Sequence, residues 1–190
     1  NWQEGVNNTA LDYSQNQNPH PGFGTHITGN FTGVNGLDAT QNGNPSLFGF
    51  DNVVQAWTVI GNTDVNTLSA GIPYRLLVRG SRDVNLNFSG SGATPSETRL
   101  RAEGTLLTGT FTESNLNTGA GAFNLIGNPY QAAVDMNTVL GTSTNLNTNS
   151  FYVWDPNLQS GVGAYVTVAL PAGTNTSGST ANQYLQPSQG

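Results

Sequence analysis

The chain has 190 residues, with eight Phe, six Tyr and three Trp, enough aromatic mass for one continuous core in one large β domain or two small ones. Charged residues make up 8%, against about 25% in an ordinary globular domain, and polarity is carried by Asn, Thr, Ser and Gln. A net charge of −6 with five Arg and no Lys excludes a nucleic-acid or anionic-membrane surface and Schiff-base chemistry, and the absence of Cys excludes disulfides, thiolate metal sites and a Cys nucleophile.

Disorder goes with high charge and few aromatics, and this chain has neither. No apolar run approaches the about 18–20 residues of a membrane span. No signal peptide is visible, and a start at Asn1-Trp2 fits a mature or excised segment.

Strands are expected along the chain at 26–31 and 46–50. The run 53–60 sets Val54, Ala56, Thr58 and Ile60 opposite Val53, Gln55, Trp57 and Val59, a strand buried on both faces. Further strands are expected at 74–79, at 84–88 (Val84, Leu86 and Phe88 against two Asn), at 98–103 and at 105–112. The run 122–126 ends at Gly127-Asn128-Pro129. Proline cannot donate to a ladder and restricts the residue before it, so Pro129 should lie at or just beyond a strand end. A weak helical signal at 131–139 reads as a single turn or an irregular link. The last strands are 151–154 and 164–170, the latter with Ala164, Val166, Val168 and Leu170 on one face.

Long polar loops separate these runs at 7–24, 33–45, 89–97, 115–121, 141–150 and 172–182, with Asn-Gly and Gly-Asn pairs suited to left-handed turns. About nine or ten short strands, with turn clusters about every 8–12 residues, predict an all-β antiparallel sandwich or jelly-roll-like fold. Helical crossovers of a parallel α/β sheet are missing. One domain over 1–190 is expected, with a weaker subdivision near 115–121.

Several phrases, taken together, resemble a known class of protein: "NWQEGVNN", "NPHPGFGTHITG", "YRLLVRGSRDVNL", "TRLRAEGTLLTG", "FNLIGNPYQAAVDM", "FYVWDPN" and "YLQPSQG". They are similar, in order and over nearly the whole chain, to modules of large secreted and cell-surface proteins of Bacteroidota, many exported by the type IX secretion system and some acting in adhesion or gliding. The resemblance implies an extracellular β-rich module within a longer protein and implies no catalytic residue. In such modules the Gln-Gly segment runs into an aromatic strand, whereas this sequence stops at Gly190. Either that strand was cut off, or a strand from a neighbouring copy fills its place at a sheet edge.

Chemistry-bearing residues are sparse. His20 lies in a stiff Pro-His-Pro loop and His26 in a strand-like run, and no nucleophile elbow accompanies them. The acids are scattered through turns, where Asp commonly caps its own backbone, so no glycosidase pair is assigned. Calcium takes carboxylate, Asn and loop-carbonyl oxygens, and the clusters around Asp51, Asp64 and Asp155 are the candidates for a structural ion; plain Asx turns compete with that reading. Glycan binding needs exposed aromatics beside Asn or Asp. Trp2, Tyr130, Asp155 and Asn157 are the candidate ligand-binding residues, whereas Trp57 and Trp154 sit in apolar runs and read as core. Arg75 and Arg79 share one strand face and Arg99 and Arg101 another, which reads as a solvated ion-pair network rather than an anion site.

The expected function is therefore a non-enzymatic, extracellular or cell-surface structural or adhesive module, assembling into a filament by edge-strand contacts. A carbohydrate-binding module of a secreted protein is the alternative. Its partners are neighbouring modules or copies of the same protein, and surface glycans, with no nucleic acid, no membrane insertion and no cofactor beyond the candidate calcium.

Overall fold

A computed structural model describes residues 28–30, 35, 37–39, 43–63, 65–77, 104–187 and 189–190. The expected strands at 84–88 and 98–103 lie outside the described residues, as do His20, His26, Arg79, Arg99 and Arg101. Regular structure among the described residues is mainly strand, in four small sheets, three of them antiparallel. The chain divides into two compact units, Asn1–Ser69 with Tyr74–Thr105, and Ala70–Pro73 with Leu106–Gly190.

In the first unit β1 (Thr28–Asn30) pairs in parallel with β2 (Asp38–Ala39). A three-stranded antiparallel sheet follows, with β3 (Leu47–Asp51) between β4 (Ala56–Val59) and β5 (Tyr74–Leu76). Its inner face is apolar: Leu47 and Leu37 are buried, with Ile60, Tyr74 and Leu76 packed on them. On the other face Phe50 meets Trp57 edge to face at 5.0 Å. The Arg75 guanidinium stands 4.7 Å from the Phe48 ring centroid and 4.8 Å from that of Trp57.

The run 53–60 is not one strand. Its first three residues belong to the β3–β4 hairpin turn, where the Asp51 carboxylate accepts the amides of Val53 at 2.8 Å and Val54 at 3.2 Å and Gln55 takes a left-handed φ of 58°. Capping by Asp51 overrides the apolar pattern and leaves Val53 and Val54 exposed.

The second unit holds β6 (Val134–Asp135), α1 (Met136–Thr142), β7 (Ser150–Asp155), β8 (Ala164–Ala169) and β9 (Tyr184–Leu185). Strands β7 and β8 form an antiparallel ribbon over six residue pairs, Ser150 opposite Ala169 to Asp155 opposite Ala164. β6 pairs with β9. α1 is a real helix where the sequence suggested only a turn. Asp135 caps it by accepting the Asn137 amide at 3.0 Å, and Met136 and Leu140, one turn apart, point into the core. That core is Met136, Leu140, Val153, Val166, Val168 and Leu185. Val166 and Val168 are at most 1% exposed, and each such valine stabilises the fold by about 1.5–3 kcal/mol.

The expected strands at 105–112 and 122–126 are irregular segments instead. Side chains take the backbone groups a ladder would use. The Tyr130 hydroxyl serves Gly109 and Phe111, and Asn124 bonds both the amide and the carbonyl of Asn117. Pro129 lies outside every ladder and helix, but it ends no strand. α1 spans seven residues, and no helix among the described residues is long and apolar enough to cross a membrane.

Candidate functional site

The β7–β8 ribbon has one buried face and one open face, as strict alternation dictates. Val153, Val166 and Val168 go inward. Tyr152, Trp154 and Tyr165 go outward, and Phe123 joins them from an irregular segment. These four are 41–61% exposed and pair edge to face, Trp154 with Tyr165 at 5.1 Å and Phe123 with Tyr152 at 5.5 Å. No charged residue shares the outward face of the ribbon, whose other members are Ser150, Thr167 and Ala169.

At the end of β7 the surface folds into an open cleft of about 260 Å³. Trp154 and Tyr184 supply its aromatic surface, and Asn157, Thr180, Gln186 and Gln189 line it with amides and a hydroxyl. Among the described residues its single carboxylate is Asp155, which accepts the Asn157 amide at 2.9 Å and the Ser179 hydroxyl. The Ser179 hydrogen bond first, and the Asn157 amide next, hold this carboxyl below the usual carboxylate range, with burial opposing them.

The surrounding loop is fixed by its own side chains. Asn175 Nδ2 donates to the carbonyls of Ser179 at 3.1 Å and Ala181 at 2.9 Å, and Asn182 Oδ1 accepts the Tyr184 amide at 2.9 Å. Trp154 is fixed from below. Gly163 has φ +89°, and a Cβ there would lie 2.6 Å from the indole Cε2.

Of the residues singled out from the sequence, Asp155 and Asn157 come together at this cleft. Tyr130 does not line it, and its hydroxyl is occupied, donating to the Gly109 carbonyl at 2.7 Å and accepting the Phe111 amide at 2.8 Å. Asp51 caps a hairpin in the other unit. Trp2 and Asp64 lie outside the described residues. Among the described residues no three of His, Cys, Asp and Glu group as metal ligands. Asp51 and Asp155 bond amides of their own turns, the Asx geometry.

Trp154 and Tyr184 were missed as site residues. For Trp154 the signal was present: a strand that sends Val153 inward must send its neighbour outward. The approach of Thr180, Gln186 and Gln189 to β7 depends on chain reversal after β8, which no local pattern encodes. The chain matches no protein-family model, no curated protein and no solved structure.

Proposed function

We propose that the chain is a non-enzymatic structural or adhesive module of a large bacterial surface protein, of the type IX-exported kind its phrases resemble. We infer an antiparallel sandwich of jelly-roll type, with about nine or ten short strands, as its complete fold. The small antiparallel sheets, each burying one apolar face, support that architecture.

The observation that carries the functional reading is the outward face of β7–β8. Four large aromatics stand 41–61% exposed on a surface without charge. Tyr and Trp are over-represented where proteins meet partners, and clustered exposed aromatics mark contact surfaces. The partner fitting this reading is a neighbouring module or another copy of the chain. Among the described residues β7 and β8 pair as strands with each other alone, and beyond that ribbon β8 is bridged at Ala169 by Thr174, so the rest of its far edge and that of β7 suit strand addition along a filament.

Two measurements test this. Antibody to the purified chain should label intact cells that produce the native protein; signal only after lysis overturns the surface placement. Sedimentation should show concentration-dependent association that weakens in a Tyr152→Ser, Tyr165→Ser variant. A monomer at every concentration overturns the assembly role.

A further inference from the structure

We propose that the cleft at the end of β7 binds a neutral saccharide, a single sugar ring or the terminal ring of a chain. The inference rests on the surface-module reading and names what such a module would hold.

The chemistry of the cleft selects this ligand class. A sugar ring offers an apolar C–H face and a rim of hydroxyls. It needs an aromatic surface and neutral groups that both donate and accept. Trp154 and Tyr184 supply the first, at 41% and 48% exposure. The second is present and unspent: among the described residues the Trp154 indole N–H, the Tyr184 and Thr180 hydroxyls and the Gln189 amide nitrogen have no protein partner.

Charge argues the same way. Among the described residues no cation lines the cleft, and these offer a phosphate, sulfate or uronate no counter-charge. The one anion among the described lining residues, Asp155, is committed to Ser179 and Asn157 and is not offered to a cationic ligand. The volume of about 260 Å³ lies below the range of about 300–1,000 Å³ for drug-sized ligands, which suits one ring rather than a buried oligomer.

The site is also built before any ligand arrives. Gly163 and the Tyr165 ring hold the indole. Asp155 and Ser179 tie the end of β7 to the 175–184 loop, and Asn175 fixes that loop internally. Little ordering remains to oppose binding. A peptide could use the same aromatic surface, and the test separates the two.

The purified full chain is applied to an array of neutral and acidic oligosaccharides. It is then titrated with glucose, galactose, mannose and N-acetylglucosamine, and with tyrosine-rich peptides, following tryptophan emission. Neutral oligosaccharides should be retained, and at least one neutral monosaccharide should shift the emission saturably. Tyr184→Ala and Gln189→Ala should each weaken binding about tenfold or more, whereas Tyr152→Ser, outside the cleft, should not. Tyr184→Phe, which removes only the hydroxyl from a half-exposed side chain, serves if Tyr184→Ala fails to fold. Retention of acidic glycans or peptides alone overturns the proposal. So does full binding by the Tyr184 and Gln189 variants, or no binding by folded protein. If intact cells are still labelled by antibody in that last case, the saccharide site falls and the surface-module reading stands. Saccharide binding by a chain found only inside cells would reverse that outcome.

Discussion

The side-chain amide of Asn128 donates to the carbonyl of Leu185, 57 residues further on, at 3.0 Å. The same Nδ2 reaches the Ala132 carbonyl at 2.8 Å, and Oδ1 accepts the Tyr130 amide at 2.9 Å. The backbone amide of Asn128 donates to Gln189 at 2.8 Å. One buried residue thus closes an Asx turn over Pro129 and fastens it to the last strand and the segment beyond. Proline at the second position of that turn has no N–H to satisfy, so it costs the turn no donor.

Asn128→Ala should therefore destabilise the second unit by about 2–4 kcal/mol, because it strips a partner from the buried Leu185 carbonyl and opens the turn. Urea unfolding followed by tryptophan emission measures it. A loss under about 0.5 kcal/mol, the size of an ordinary surface change, would contradict the fastening role.

Gly163→Ala should cost more than Gly178→Ala. Both glycines have positive φ, +89° and +76°, so each alanine carries a backbone penalty of about 1 kcal/mol or more. Nothing lies within 4 Å of a Cβ at Gly178, whereas one at Gly163 meets the Trp154 indole. The difference between the two variants in urea unfolding reads the displacement of that ring. A red-shifted Trp154 emission in Gly163→Ala alone should accompany it. Equal costs and unchanged emission would show that Gly163 does not position the indole.

The ribbon was legible because its pattern is purely local: Val153, Val166 and Val168 alternate with polar and aromatic residues, and the period alone fixes the inner face. The apolar run around Trp154 reads as core, but the same period turns its side chain outward, 41% exposed. The run 53–60 failed for a different reason. Two valines promise a strand, but Asp51 before them offers the backbone a better local bond, and a hairpin turn results. The segments 105–112 and 122–126 failed because side-chain bonds replace a ladder: the Tyr130 hydroxyl takes the Phe111 amide, and the Asn124 side chain bonds the Asn117 backbone. The cleft depends on such long-range pairings throughout, so only its Asp155-Pro156-Asn157 corner was visible in advance.

Arg75 should contribute through stacking, not through an ion pair. Its guanidinium lies over Phe48 and Trp57 on an exposed sheet face. Arg75→Met should cost about 0.5–1 kcal/mol in the first unit, the scale of an exposed cation–π contact. Raising salt should leave that cost nearly unchanged, since an ion pair is screened and a stacked cation is less so. A cost that disappears in high salt would show that Arg75 acts through an ion pair and not through stacking.

The acid limb of stability should carry the signature of Asp155. Its carboxyl titrates below the ordinary range in the folded chain, chiefly through the Ser179 hydroxyl and then the Asn157 amide. In the unfolded chain it titrates near its ordinary value of about 3.9. Between those two values the unfolded state binds more protons, so stability rises with pH there. The contribution is fully present above about pH 5 and is lost as pH falls through the folded-state value. Ser179→Ala removes the largest cause of the shift. Wild type should exceed this variant in stability by a constant margin above about pH 5, and that margin should shrink on acidification. Urea midpoints collected from about pH 2.5 to 7 measure both curves. Asp155→Asn, which cannot ionise, should flatten the same limb. A margin that stays constant to the lowest pH would mean that the Ser179 hydroxyl stabilises the loop by packing or neutral hydrogen bonding and does not act on the Asp155 charge.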